Sequence, residues 1–200
     1  MGRVIGVFGG TFDPPHIGHL VLADEARAEL NLIEVLWVVT GEPPHKPDRP
    51  IAPVEHRIRM VELAISSDPI FRMSRLEVDR PGPHYAVDTL AKLAEERPSD
   101  ERAYIMGKDS LRDLPTWHSP ERFIELSDSM VVLNRPDVEA DLELLESQLA
   151  GLADKVHFLD VPLVDVASRD IRQRVASGDP YRYLVSRTVA DYIAEQDLYR

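Results

Sequence analysis

The chain contains no cysteine, which excludes disulfides and Cys-ligated zinc or iron–sulfur sites. It also lacks a surplus of positive charge: 23 Lys and Arg stand against 35 Asp and Glu, a formal net charge of −12. Nucleic acids and anionic membrane surfaces are bound through clustered Lys and Arg, so neither is an expected partner. An anionic small substrate would need a local basic cluster set against a repulsive overall field. No stretch approaches the roughly 20 apolar residues of a membrane span. "MGRVIGVFGG" has neither the long apolar core nor the small-residue cleavage site of a signal peptide. Gly6 stands where myristoylation after Met1-Gly2 would ask for Ser or Thr. These absences lead to an expected cytoplasmic location.

What is present is an ordinary globular balance, 44% hydrophobic and 29% charged over 200 residues. That suffices for one domain spanning 1–200 with a sizeable core. Short apolar runs alternate with helical patterns. "RVIGVF" (3–8) precedes a helical period over 17–30, and "EVLWVVT" (34–40) precedes "PVEHRIRMVELAIS" (53–66). In the latter, Ile58, Val61, Leu63 and Ile65 suit a buried face. "FRMSRLEVD" (71–79) precedes "YAVDTLAKLAEE" (85–96). "RAYIMG" (102–107), "SMVVLNR" (129–135) and "KVHFLDV" (155–161) are further strands. A helix lies near 138–150, and 162–200 forms a helical closing portion. Strands spaced by helices imply βαβ units, and hence an α/β, doubly wound parallel sheet. Its site should lie at the carboxyl ends of the strands, where strand order reverses. The Pro-rich breaks at 41–50 and 79–84 follow strands and read as site loops.

"VIGVFGGTFDPPHIGH" reads as strand, glycine turn and helix start. Gly9 and Gly10 permit a sharp turn close to a ligand. Pro14 and Pro15 stiffen the entry to a helix beginning around His16, whose N–H groups and dipole favour an anion. His16 and His19, three apart, share one face of its first turn. A His-x-x-His pair can bind zinc, although no third ligand is apparent, or can be structural. The glycine turn favours phosphate, because imidazole N–H groups can stabilise charge developing on phosphorus.

"GGTFDPPHIGH" resembles the signature of the nucleotidylyltransferase superfamily, with His16, Gly18 and His19 on its T/HxGH motif and Thr11 on its hydroxyl position. The rest of the chain is similar to the bacterial nicotinate-nucleotide adenylyltransferase family, nearly end to end. "PPHKP" resembles the lysine loop, implying Lys46 near substrate phosphate. "GPHYAVDTL" resembles the segment whose backbone amides meet a pyridine carboxylate, with Ala86 in place of a Thr. "MGKDSLRDLPTWH" implies Asp109 near nucleotide hydroxyls and Trp117 stacked on the pyridine ring. An indole face suits a flat cation; Trp37, inside "VLWVV", reads as core. Alone, Asp109 could be a helix cap and Lys46 a solvated charge. The second phosphate motif departs from the I-S-S-T-x-I-R pattern: "VASRDIR" (166–172) keeps Ser168 and Arg172 but has Ala167 and Arg169 for a Ser and the Thr. Ser168 can cap the following helix, and Arg169 can supply a cation.

The resemblance implies adenylyl transfer from ATP to nicotinate mononucleotide. It places His16, His19, Lys46 and Arg172 in catalysis. Gly9, Gly10, Thr11, Phe12, Gly18, Gly107, Asp109, Ser168 and Arg169 join the ATP side, and Thr40, Tyr85, Ala86, Trp117 and Arg135 the acceptor side. Mg²⁺ is expected with ATP, held by phosphate and water and not by protein side chains. Other acceptors (nicotinamide mononucleotide, phosphopantetheine) and a non-catalytic nucleotide sensor stay open, as does homo-oligomerisation. A tRNA-synthetase fragment fits "HIGH" but lacks a KMSKS-like segment and a basic surface.

Overall fold

The computed structural model describes residues 2–41, 51–134, 138–161 and 164–200. Lys46 and Arg135 therefore lie outside the described residues. The strands are β1 (Arg3–Gly10), β2 (Glu34–Val39), β3 (Phe71–Ser74), β4 (Asp100–Gly107), β5 (Ser129–Leu133) and β6 (Val156–Leu159). They form one sheet in the order β3-β2-β1-β4-β5-β6, and every pair is parallel. This is the doubly wound α/β architecture expected from the alternation of strands and helices.

Successive residues of a strand point to opposite faces, and both faces are covered. Phe8, Val35, Trp37, Ile105 and Val131 join one core, packed by α1 (Ile17–Glu29), α2 (Val54–Ile65), α7 (Ser168–Ser177) and α8 (Arg187–Glu195). Ile5, Val7, Leu36, Tyr104, Met106 and Val132 join the other, beneath α3 (Ala86–Glu96), α4 (Lys108–Asp113), α5 (Pro120–Leu126) and α6 (Leu142–Gln148). Burial on both sides explains why the central strands read as continuous apolar runs. Trp37 is fully buried, as its setting suggests. At the amino ends of the strands, Arg97 bridges Glu34 and Asp100, and Arg72 adds to Glu34.

Three elements differ from the sequence reading. β3 stops at Ser74, because 75–80 curls into turns in which Asp79 and Arg80 N–H groups meet the carbonyls of Arg75 and Glu77. The segment 108–126 forms the short helices α4 and α5, which carry too few apolar positions for a visible period. On α2, Leu63 is only half-buried, whereas Arg57, a cation among core positions, is 1% exposed.

Arg57 is satisfied by main chain. Its guanidinium donates to the carbonyls of Thr11 (2.9 Å), Thr40 (2.6 Å), Gly41 (2.8 Å) and Ala52 (3.0 Å). Burial lowers its pKa and the nearby Asp13 carboxylate acts against that. One side chain thus ties the segments leaving β1 and β2 to the entry of α2. Arg57→Ala would strand those carbonyls. It is expected to cost about 3 kcal/mol or more, a fall in Tm of roughly 6–12 °C in a chain of this size; a melt within about 1 °C of wild type would refute the tie.

Candidate active site

Order reversal occurs between β2-β1 and β4, and the carboxyl ends of β1 and β4 open there onto two cavities. The first, about 330 Å³, is lined by Gly9, Gly10, Thr40, Tyr85, Ala86 and Trp117, among others. The second, about 340 Å³, runs to the start of α7, with Ser168, Arg169 and Arg172 on its wall. Thr11, His16, His19 and Asp109 line both. The histidine pair therefore stands where the two cavities meet.

The local chain explains how the pair is held. Phe12 adopts a left-handed backbone, φ 49°, which is strained for a bulky residue. Its ring packs T-shaped against Phe8, at 5.3 Å, and His19, at 5.1 Å. A Cβ on Gly10 would lie 2.8 Å from the Phe12 ring, so only glycine allows this approach. His16 caps α1 from an extended conformation, and its ring stacks on that of His19 with centroids 3.6 Å apart. Gly18 keeps that stack open, since a Cβ there would press on His16 at 3.1 Å and on Val166 at 3.3 Å.

The helix start is less of a bare anion cradle than its sequence suggests. The His16 N–H donates to His19 Nδ1 (3.1 Å), the Ile17 N–H to the Leu184 carbonyl (3.0 Å) and the His19 N–H to the His16 carbonyl (2.9 Å). Three amides at this helix start are therefore already occupied. Because Nδ1 of His19 accepts from a backbone amide, the neutral ring carries its proton on Nε2.

The α7 side is organised around Asp13, which is 2% exposed. Its Oδ1 accepts from the Ala52 N–H (3.2 Å) and the Tyr199 hydroxyl (2.7 Å). Arg172 donates to its main-chain carbonyl at 2.6 Å and lies 3.6 Å from Oδ2. Burial, then the Asp13 charge, pushes the Tyr199 phenol well above the ordinary tyrosine range, so it remains a donor. Ser168 does not cap α7. Ala167 holds that position, and the Ser168 hydroxyl donates to the Pro14 carbonyl at 2.8 Å, fastening α7 to the glycine turn. Arg169 is exposed and pairs with Asp170 at 3.2 Å.

On the other side, Tyr85 caps α3 and stacks on His118 with centroids 4.2 Å apart. Trp117 packs T-shaped against Phe123 at 5.2 Å and Tyr104 at 6.2 Å. Burial, then Glu77, raises the Tyr104 pKa, keeping a neutral phenol at the cavity floor. Asp109 is the second residue of α4, and Gly107 holds its N-cap position.

The sequence reading assigned no role to Arg57, Tyr199, His84 or His118. A cation at a core position of an amphipathic helix was the readable signal for Arg57; His84 and His118 flank residues that had been picked out. Among the described residues no group of three His, Asp or Glu side chains gathers as for a metal.

Residues 7–174 match the cytidylyltransferase-like family model. A protein of Thermomicrobium roseum named "Probable nicotinate-nucleotide adenylyltransferase" is 47% identical over 98% of this chain and 91% of its own. One of the same name from Symbiobacterium thermophilum is 44% identical over 100% and 96%. The solved Plasmodium falciparum nicotinic acid mononucleotide adenylyltransferase, complexed with NaAD, shares the fold with a TM-score of 0.82 at 18% identity, covering 98% of this chain and 97% of that one.

The His16–His19 hydrogen bond makes one direct prediction. In ¹⁵N NMR spectra of the neutral ring, His19 is expected to show an unprotonated Nδ1 and a protonated Nε2; the opposite tautomer would contradict the bond.

Proposed function

The chain belongs to the cytidylyltransferase-like family and, within it, to the nicotinate-nucleotide adenylyltransferases, and on that premise we propose that its site joins ATP to nicotinate mononucleotide, giving nicotinate adenine dinucleotide and pyrophosphate. The observation that carries this reading is the position of His16 and His19 on the wall common to both cavities. One cavity has aromatic side chains for a pyridine ring, the other has cations for a triphosphate. A group passing between two bound substrates must cross that wall.

An oxygen of the acceptor phosphate attacks the α-phosphorus of ATP in line. The new P–O bond forms as the α–β bridging bond breaks, and pyrophosphate leaves with the electron pair. A phosphate monoester is largely ionised near neutral pH, so no general base is required. Catalysis reduces to alignment and charge neutralisation. His19 donates from Nε2 to the α-phosphate as charge builds, and His16, stacked on it, binds and positions phosphate. Arg172 and Arg169 receive the departing phosphates. Trp117, Tyr85 and the start of α3 at Ala86 take the pyridine ring and its carboxylate, with Thr40 beside them. Lys46 is assigned to the attacking phosphate and Arg135 to the acceptor, from sequence alone. Mg²⁺ accompanying ATP would neutralise phosphate charge, held by phosphate oxygens and water. A cytoplasmic location belongs to the same proposal; among the described residues, no helix is long and apolar enough to cross a membrane.

Pyrophosphate release with ATP and each of nicotinate mononucleotide, nicotinamide mononucleotide and phosphopantetheine tests the reading. The highest kcat/KM is expected with nicotinate mononucleotide. Preference for another acceptor would replace the substrate, and no release with any would leave a nucleotide sensor. His19→Ala is expected to lower kcat by about 10²–10³ with the fold intact; near-normal turnover would remove His19 from the chemistry. Arg169→Ala should raise the KM for ATP, and an unchanged value would take Arg169 out of the site.

A further inference from the structure

After α8 the chain turns back on itself through two left-handed residues, Asp197 (φ 55°) and Tyr199 (φ 67°). The turn brings Tyr199 to the loop that follows β1, 186 positions earlier in sequence, where its hydroxyl meets Asp13 Oδ1 at 2.7 Å. The same hydroxyl lies 3.9 Å from the Met60 sulfur of α2. Neither left-handed residue is glycine, so the turn is maintained against backbone preference. Something on the far side of it must hold Tyr199 in place. The contact it reaches is a buried carboxylate.

That carboxylate is loaded unevenly. Oδ1 accepts from Tyr199 and from the Ala52 N–H. Oδ2 is buried and has no hydrogen-bond partner among the described residues. It faces Arg172, 3.6 Å away, close enough to attract and too far for a hydrogen bond. Arg172 makes one short bond, from Nη1 to the Asp13 carbonyl, and no other from its guanidinium among the described residues. The arrangement holds the arginine at the cavity wall while leaving most of its donors unspent. A carboxylate and a guanidinium at this distance would otherwise close into a two-bond fork, the strongest geometry available to them. Such a fork would withdraw Arg172 from any phosphate.

We propose that Tyr199 is a positioning residue for ATP: by occupying Asp13 Oδ1 it fixes the carboxylate's rotation, prevents the fork, and keeps Arg172 available to the nucleotide's phosphates. This rests on the reading of the α7 cavity as the phosphate site. Arg57 also acts on Asp13 through its charge, but four of its five donors are committed to carbonyls and none bonds the carboxylate among the described residues. Tyr199 touches no substrate. Its effect on ATP passes through Asp13 and Arg172.

The test is Tyr199→Phe, which keeps the ring and deletes the hydroxyl, measured for KM of each substrate and kcat, alone and combined with Arg172→Ala. Losing one such bond should raise the KM for ATP about three- to tenfold. The KM for nicotinate mononucleotide should stay within about twofold, and any fall in kcat should not exceed that of Arg172→Ala. In the Arg172→Ala background, Tyr199→Phe should add nothing. Met60→Leu, which removes the hydroxyl's sulfur neighbour and leaves its bond to Asp13, should leave the KM for ATP unchanged. A normal ATP KM in Tyr199→Phe, with a raised one in Arg172→Ala, overturns the role of Tyr199 and spares the phosphate-site reading. A normal ATP KM in Arg172→Ala overturns both. Parallel rises in the two KM values, or a Met60→Leu effect equal to that of Tyr199→Phe, would reduce Tyr199 to packing and overturn the proposal.

Discussion

The site depends on a buried guanidinium. Parallel strands end with their carboxyl termini side by side, and the segments leaving them carry carbonyls that must be satisfied away from water. Arg57 satisfies four such carbonyls at once, from the first turn of α2, the helix that follows β2 and leads to β3. A planar, permanently charged group with five donors is the side chain able to do so. The buried charge is balanced by Asp13, and Asp13 in turn gathers Ala52, Tyr199 and Arg172. The glycine turn is thus framed by α2, α7 and the segment beyond α8, from both ends of the chain.

Within that frame the histidine pair is held by contacts on several sides. Phe8 and Phe12 pack on His19, His16 stacks on it, and a backbone amide chooses its tautomer. Reaction at phosphorus needs charge placed where it will develop, and preorganised donors do this without reorganising during the step. The strained backbone at Phe12 is tolerated because its surroundings determine it several times over. The aromatic-lined cavity and the arginine-lined cavity meet at the histidine pair. The histidines are their common wall.

Much of this was readable along the chain. The strands and most helices follow from apolar runs and their spacing, and "GGTFDPPHIGH" shows a glycine turn and a histidine pair at a helix start, a pattern that favours phosphate. Trp37 was legible as core because it sits inside an apolar strand, and it is fully buried. Ser168 was misread as a helix cap: the residue type suits one, but position was decided by Pro14, 154 residues away. The amides at the start of α1 were read as open to an anion, whereas Leu184 and His19 already take two of them. The helices of 108–126 are too short to show a period.

By itself the sequence determined what is local: the order of strands and helices, the glycine turn, and the pairing of two histidines on one face of a helix start. Local preferences act over a few residues, so they can be read over a few residues. The tertiary structure alone decided which carbonyls Arg57 would bind, which oxygen of Asp13 would face Arg172, and that Tyr199 would reach the loop after the first strand. Those outcomes depend on groups brought together by burial across as many as 186 positions. A buried polar group accepts whichever partner the packing delivers, and no spacing in the chain records which one that will be.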